Sequence, residues 1–314
     1  MPDLILAGDI GGTNVRLRLL DGETIVCEET VARRPVVDVV AAFRQSRMAQ
    51  APAAAAFGCA GGVKDGRAHF VARKNEQISE PLLAEALGLP LERVRLVNDM
   101  TAHMGGLDDC EFVTLRAGEP HGLVEAMVMP GTGLGCGLRV DAGGRWIPIG
   151  TEGGQVDAAP VDWYDDFFAF AARRHGVDRL TWEHVAAGPS LSLLYEWQGF
   201  EGNVPPEQIV AWAGEEDGEG VACHAVEMFL SLAGQRAGNL CLTTSATRGV
   251  WLAGGLLNAI HVACSDKFAH FEDAFTRCGP DVLRDYLAAV PLRLLTTSDS
   301  GLRGAAALAR AMLA

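Results

Sequence analysis

The feature that most constrains this chain is a glycine-rich turn near its N-terminus, between two short strand-like runs. Residues 4–7 form an apolar run that predicts a buried strand, and residues 15–20 alternate apolar and basic side chains as a second strand does. The turn between these runs consists of Gly8, Asp9, Ile10, Gly11, Gly12 and Thr13. Glycines let a backbone approach a bulky anion, and successive N–H groups form an anion-binding concavity. We interpret the segment as a β-hairpin whose turn binds phosphate, with an ordinary glycine hairpin as the alternative.

Asp9 is the carboxylate of this turn. It cannot bind a phosphate directly, because both groups are negative. It can instead hold Mg²⁺, directly or through water, and the metal can bridge to phosphates. No dedicated metal site is therefore expected, and the metal would travel with its phosphate ligand.

A strand, a glycine-rich turn and a strand occur a second time. Residues 124–129 predict a strand, Gly131, Thr132 and Gly133 follow it, and residues 138–140 alternate again. Two similar halves, each with a glycine turn, could bind one phosphate chain from both sides. The repeat therefore favours phosphate binding over the ordinary hairpin.

Length, charge and cysteine usage limit the classes of protein that fit. The 314 residues are enough for two domains, and the net charge of −14 without a basic block argues against a nucleic-acid surface. No apolar run approaches the roughly 20 residues of a membrane span, and the N-terminus does not resemble a signal peptide. The eight cysteines include no Cys-x-x-Cys pair, which indicates neither a zinc site nor a disulfide framework. We expect an acidic soluble enzyme of a reducing cytoplasm.

Asn98 and Asp99 stand where a predicted buried strand, residues 94–97, gives way to a helix. Asp and Asn are favoured helix caps, so capping is one interpretation. The other is that Asp99 is a general base at the carboxyl end of a strand, where α/β folds place their ligands. The hydroxyl that accepts a phosphoryl group needs a carboxylate within about 3 Å to take its proton.

Further polar and glycine positions could contact a small ligand. Glu152 and Gln155 could face one polar ligand across two glycines, with a solvent-exposed turn as the alternative. Glu183 could join them, or could be an ordinary surface glutamate. Gly254 and Gly255 follow a predicted strand and could admit a nucleotide base or ribose against the backbone, or could simply form a tight turn.

Seven motifs occur in one order along the chain: GDIGGTN at 8–14, LVND at 96–99, GTGLG at 131–135, EGG at 152–154, GP at 188–189, AGG at 253–255 and GLRGA at 301–305. Together they resemble the bacterial glucokinase family. The resemblance implies an α/β protein with the two-domain actin-like ATPase (ribonuclease H-like) fold and an interdomain cleft. The small domain would comprise residues 1–109 with a C-terminal helix at 300–314, and the large domain residues 110–299. It also implies ATP with Mg²⁺ as phosphoryl donor, glucose as acceptor, and a homodimer.

Carried over by position, the resemblance implies a role for each motif. Residues 8–13 and 131–133 correspond to the two phosphate loops, and Gly254 and Gly255 to the adenosine element. Asp99 corresponds to the catalytic base, and Asn98, Glu152 and Glu183 to sugar ligands.

Three departures from the family pattern fall on the sugar side. Gln155 stands where the family usually has His, and Cys59-Ala60 stands where it has Cys-Pro. Residues 72–76 replace a Thr-Asn-x-x-Trp segment and contain no Trp. The alternatives are therefore a kinase for another hexose or an amino sugar, and a sugar- or nucleotide-binding protein without turnover. Asp99 beside two phosphate loops argues against the second alternative. The cysteine cluster of the related ROK sugar kinases is absent from the sequence.

Overall fold

The computed structural model describes residues 4–32, 34–69, 76–108, 110–160, 164–200, 202–215 and 220–313. The chain divides into two compact units. The first comprises Met1–Cys110, Gly137–Thr151 and Asp299–Ala314, and the second Glu111–Cys136 and Glu152–Ser298. Gly137–Thr151, which we predicted in the large domain, thus groups with the N-terminal residues. The domain boundaries stay a prediction.

The described residues contain the following elements. The strands are β1 Leu4–Ile10, β2 Asn14–Asp21, β3 Thr24–Ala32, β4 Ala54–Cys59, β5 Gly62–Lys64, β6 Arg67–His69, β7 Val94–Asn98, β8 Phe112–Arg116, β9 Val124–Pro130, β10 Leu134–Asp141, β11 Trp146–Thr151, β12 Gly249–Leu252 and β13 Leu292–Leu295. The α-helices are α1 Val36–Arg47, α2 Glu80–Leu87, α3 Asp99–Gly105, α4 Asp165–His175, α5 Trp182–Ala186, α6 Gly188–Trp197, α7 Pro206–Glu215, α8 Val221–Thr244, α9 Gly255–Cys264, α10 Phe268–Thr276, α11 Arg284–Ala288 and α12 Ser300–Ala311. Short 3₁₀ helices cover Leu91–Arg93, Gly153–Gln155, Ser265–Lys267 and Asp281–Leu283.

The first unit is built on a five-stranded sheet in the order β3-β2-β1-β4-β7. β1 and β2 pair antiparallel with Asp9 opposite Arg16, so the predicted N-terminal hairpin is confirmed. β1, β4 and β7 are parallel, and their registers align Ile10 with Cys59 and Cys59 with Asn98. β1 includes Gly8, Asp9 and Ile10, which we predicted in the turn, because these residues continue the pairing with β2. The remaining turn residues after β1 and Asp99 after β7 therefore follow strands that end at the same edge of this sheet.

Alternating side chains of β1 face two cores, as the pleat of a strand requires. Leu6 and Ile10 pack in a cluster with residues of α1 and α2. Ile5 and Ala7 pack in another with residues of α12. The C-terminal helix thus completes the N-terminal unit, because it covers one face of the first strand.

In the second unit, β8, β9, β12 and β13 pair in the order β9-β12-β13-β8. β9, β12 and β13 are parallel, and β8 is antiparallel to β13. The long helix α8 covers Val221–Thr244 and is mostly buried, and its apolar residues recur at helical spacing. In the part of the chain that the structure describes, no helix is long and apolar enough to cross a membrane.

Candidate active site

The N-terminal glycine turn directs part of its backbone away from the sheet. The N–H of Gly11 donates to the carbonyl of Asn14 at 2.9 Å, which closes the turn. Within the described residues, the N–H groups of Gly12 and Thr13 make no backbone hydrogen bond. Gly8 has a different role, because a Cβ there would lie 2.2 Å from the ring of Phe57. Close packing of β1 against β4 therefore requires the first glycine.

Asp9 lies among charged and titratable groups that the sequence analysis did not single out. Its Oδ2 is 3.3 Å from Nε of Arg16, directly across the hairpin. His103 is buried near Asp9, and its Nδ1 lies 2.7 Å from the hydroxyl of Ser300. Burial lowers the pKa of His103, the Asp9 carboxylate opposes that shift, and Arg16 adds to it. Position could have indicated both residues, since Arg16 opposes Asp9 in a hairpin and His103 follows Asp99 by one helical turn.

The residues around Asp9 fit a metal that arrives with phosphates better than a metal held by the protein alone. In the described ranges, no three His, Cys, Asp or Glu side chains cluster as a metal site would require. Mg²⁺ commonly uses one or two carboxylates together with substrate phosphates and water. The single carboxylate of Asp9 meets that requirement.

Asn98 caps helix α3. Its Oδ1 accepts the N–H of Met100 at 2.9 Å, and its Nδ2 donates to the carbonyl of Gly61 at 3.0 Å. The half-buried Asp99 is the first residue of α3, and its Oδ1 also accepts the N–H of Met100, at 2.8 Å. The capping interpretation therefore holds for Asn98. Asp99 lies at the carboxyl end of β7. Its side chain is not needed as the cap of α3, because Asn98 already has that role.

The start of α3 is covered closely by β11. The N–H of Gly150 donates to Oγ1 of Thr101 at 2.8 Å. A Cβ at Gly150 would lie 2.0 Å from Oδ1 of Asn98. No side chain fits between this strand and the Asn98 amide, so β11 holds that amide in its orientation.

In the second unit, Gln155 and Glu183 meet directly. Nε2 of Gln155 donates to Oε1 of Glu183 at 2.9 Å, and Oε2 of Glu183 accepts the N–H of Leu134 at 3.0 Å. Gln155 is exposed at this contact, so its role as a sugar ligand stays a prediction beside the alternative of an exposed turn. Glu183 also links this cluster to the second glycine turn, because a Cβ at Gly133 would lie 2.5 Å from its Oε2.

Glu152 belongs to the same cluster. Partial burial, and then the carboxylate of Glu183, raise the pKa of Glu152 above its ordinary value. Glu152 directly precedes the 3₁₀ helix Gly153–Gln155, so one short segment presents both Glu152 and Gln155. Two carboxylates and one amide offer the acceptors and donors that a polyhydroxylated ligand needs.

A cavity of about 540 Å³ lies in the second unit beyond the ends of β9 and β12. Its lining residues are Pro130, Gly131, Thr132, Gly188, Pro189, Ser192, Asn203, Pro205, Pro206, Glu207, Gly255 and Leu256. Helices α6, α7 and α9 all begin at this cavity. Helix N-termini present unpaired N–H groups and a positive dipole end, which favour phosphate.

Glycines allow the backbone segments around this cavity to approach one another. The N–H of Gly188 donates to the carbonyl of Gly131 at 2.9 Å. A Cβ at Gly188 would lie 2.7 Å from that oxygen. Gly254 has a φ of +116°, and a Cβ there would lie 2.6 Å from the carbonyl of Pro130. Gly131, Gly254 and Gly255 are thus brought to one place, and their role in nucleotide binding stays a prediction.

The segment that departs from the family pattern at residues 72–76 lies outside the described residues except for Glu76. Oε1 of Glu76 accepts the N–H of Val36. Cys59 is buried at the end of β4.

A sequence model of the family described as Glucokinase matches residues 6–312. The chain is 32% identical over 320 residues to a glucokinase from Chromohalobacter salexigens, covering 96% of this chain and 95% of that protein. It is similar to the crystal structure of a glucokinase from Balamuthia mandrillaris in complex with glucose, with a TM-score of 0.83 and 20% identity over 98% of this chain and 94% of that one. A ROK family glucokinase from Streptomyces griseus in complex with glucose and AMPPNP superposes with a TM-score of 0.67 and 19% identity over 98% and 99% of the two chains. The fold is therefore the two-domain actin-like ATPase fold.

Proposed function

This chain belongs to the glucokinase family, whose reaction is ATP-dependent phosphorylation of glucose, and we propose that Asp99 is the general base of that reaction. The γ-phosphoryl group of ATP passes to the 6-hydroxyl of the sugar, which gives ADP and glucose 6-phosphate. The proposal rests mainly on one observation: β1 and β7 end at the same edge of the sheet. The chain continues from β1 into the glycine turn and from β7 into Asp99, so both lie at this edge.

Asp99 is suited to accept the proton of the attacking hydroxyl. It is half-buried at the end of β7, and Asn98 already caps the helix that Asp99 begins. A carboxylate within hydrogen-bond reach removes the hydroxyl proton as the new P–O bond forms. The bond between the γ-phosphorus and the bridging oxygen breaks, and the electron pair leaves with ADP.

We assign the sugar to Asn98, Glu152, Gln155 and Glu183. Sugar hydroxyls donate to the carboxylates, and the amide of Gln155 can donate or accept. Once a sugar covers these side chains, a mismatched hydroxyl leaves polar groups unpaired, so such a site discriminates strongly between sugars. Gln155 stands where the family has His, and this specific difference favours a kinase for another hexose or an amino sugar as the second candidate.

We assign the nucleotide to the two glycine turns and to the cavity in the second unit. The N–H groups of the turns face phosphate oxygens, and Gly254 and Gly255 admit the adenosine to the backbone. Asp9 would hold Mg²⁺, directly or through water. When bound, the metal neutralises charge on the phosphates. A cytoplasmic location and a homodimeric state are part of the same proposal and rest on the family resemblance alone.

An assay of ADP release with Mg²⁺-ATP tests the proposal. The rate of ADP release is measured in the presence of glucose, mannose, fructose or N-acetylglucosamine, and without any sugar. We expect turnover that depends on sugar and is highest with glucose. Highest turnover with another sugar would favour the second candidate, and equal ADP release with and without every sugar would contradict both.

A further inference from the structure

Helix α8 carries a buried arginine whose charge has no carboxylate partner. Arg236 is 5% exposed, and its Nη2 donates to the carbonyl of Gly153 at 2.9 Å. Its Nε is buried without a hydrogen-bond partner among the described residues. Within the same ranges, no carboxylate lies within ion-pairing distance of it. Burial of a guanidinium without a carboxylate partner costs free energy, so the presence of a charge at this position requires a physical explanation.

The thiol of Cys136 shows which charges lie nearby. Cys136 is fully buried on β10, and its thiol hydrogen-bonds to the side chain of Arg236. Burial raises the pKa of this thiol, Arg236 lowers it, and the carboxylates of Glu152 and Glu183 raise it further. The guanidinium and both carboxylates therefore act on the same buried atom. The buried thiol of Cys136 is thus the group that relates Arg236 to the two carboxylates.

The carbonyl that Arg236 contacts belongs to the segment that presents the sugar ligands. Gly153 follows Glu152 directly and precedes Gln155 by two residues. The next residue, Gly154, is packed against β10, since a Cβ there would lie 2.2 Å from the carbonyl of Leu134. The segment is thus held at two consecutive residues, by packing at Gly154 and by the guanidinium at Gly153.

Resting on the proposed function, we propose that Arg236 is a positioning residue of the sugar site. Its guanidinium fixes the Gly153 carbonyl and thereby holds Glu152 in its position relative to Glu183. The charged group that acts on Glu152 is Glu183 from α5, and both carboxylates act on the thiol of Cys136 from β10, which Arg236 from α8 contacts. Since the repulsion by Glu183 depends on the distance between the two carboxylates, release of the Gly153 carbonyl would change the pKa of Glu152.

Two variants and a matched control separate this role from a merely structural one. Arg236→Met removes the charge and the hydrogen bonds with little change in length, and Arg236→Lys keeps the charge. The control is Gln235→Met, because Gln235 is the neighbouring buried residue of α8 and lines a different cavity beside α10. Thermal melts establish that each variant is folded. If Arg236→Met does not fold, Arg236→Gln replaces it, since this variant also lacks the charge.

The first readout needs no activity. Glutamate carboxyl groups labelled with ¹³C are titrated by NMR in the free protein, with Glu152 assigned from the Glu152→Gln variant. We expect the titration of Glu152 to move by on the order of half a pH unit or more in Arg236→Met, because the distance between Glu152 and Glu183 changes. It should return toward the wild-type value in Arg236→Lys and stay unchanged in Gln235→Met. An unmoved Glu152 titration in Arg236→Met would overturn the proposal, whether or not the protein phosphorylates a sugar.

The second readout is the steady-state rate with the preferred sugar. We expect Arg236→Met to raise the KM for sugar by on the order of tenfold, with the KM for ATP changed less than about twofold. The acid limb of kcat/KM for sugar should move in the same direction as the NMR titration. Equal changes for both substrates would show a structural role only. Absence of turnover in the wild-type protein would contradict the proposed function, and the NMR result would still decide the role of Arg236.

Discussion

Gln155 donates a hydrogen bond from Nε2 to Oε1 of Glu183 over 2.9 Å. The same carboxylate accepts the N–H of Leu134 with its other oxygen. The residue that departs from the family pattern therefore orients one of the proposed sugar ligands. Under the proposed assignment, a change at position 155 would act on the sugar directly and through Glu183.

Replacement of Gln155 by His should change the choice of sugar. A His can donate one hydrogen bond to Glu183, but it has a different shape and changes charge near neutral pH. We expect Gln155→His to shift the ratio of kcat/KM values between glucose and its epimers, with the KM for ATP within about twofold of wild type. Gln198→His, in a glutamine that bonds to the backbone of α6, is the control. An unchanged sugar ranking would remove Gln155 from the set of sugar ligands.

Asp99→Asn should abolish most turnover without loss of stability. The amide keeps the size of the side chain but cannot accept the hydroxyl proton, and the cap of α3 remains with Asn98. We expect kcat to fall by on the order of 10²-fold or more, while the Kd for glucose changes modestly. Asp38→Asn, which changes the first-turn carboxylate of α1, controls for the general effect at a helix N-terminus. Turnover close to wild type in Asp99→Asn would rule out Asp99 as the base.

A side chain in either glycine turn should leave folding unaffected but should weaken ATP binding. A Cβ at Gly131 would meet only the carbonyl of Gly133, at 3.8 Å, and a Cβ at Gly11 only that of Asn14, at 3.4 Å. We therefore expect Gly131→Val and Gly11→Val to fold, and calorimetry to show ATP affinity weakened at least about tenfold, or 1.4 kcal/mol. Sugar affinity in the same variants is the internal control. Unchanged ATP binding in either variant would contradict the phosphate assignment of that turn.

As the pH is lowered, the rate at low sugar concentration should begin to fall at a higher pH than it would if the controlling group had the pKa of an ordinary glutamate. Partial burial and Glu183 raise the pKa of Glu152, and its ionised form accepts a sugar hydroxyl more strongly than its protonated form does. The ionised fraction is high above that pKa and falls as the pH drops through it, so kcat/KM for sugar decreases toward acid pH. Glu152→Gln should lower kcat/KM and remove this limb, whereas Glu196→Gln on α6 should leave it in place. A limb that persists in Glu152→Gln would belong to another group.

The crossing of α3 and α12 should be intolerant of a single methyl group. A Cβ at Gly304 would lie 1.8 Å from the carbonyl of Ala102, so the two helices would have to separate. We expect Gly304→Ala to lower the free energy of unfolding by about 3 kcal/mol or more. The control is Gly255→Ala at the start of α9, where a Cβ would meet nothing within 4 Å. Denaturant unfolding without ligands measures both, and a change in Gly304→Ala as small as that in the control would contradict the steric argument.

The sequence by itself determined the elements that local patterns encode. The N-terminal hairpin, the long helix α8 and the cap position before α3 follow from alternation, helical spacing and capping chemistry, which involve residues close in the chain. The order of the glycine and carboxylate motifs also identified the family, because that combination occurs along nearly the whole chain.

Only the tertiary structure decided which distant residues touch. Arg236 reaches Gly153 across 83 residues of sequence, and no periodicity of α8 indicates which of its buried positions carries a functional charge. Gly8 could be interpreted from sequence as a phosphate contact, whereas the packed ring of Phe57 is what excludes a side chain there. Strand register and helix packing set these contacts, and both result from burial of apolar surface summed over the whole unit. A local pattern contains the propensity of each element, but the pairing of side chains is settled only when the elements pack.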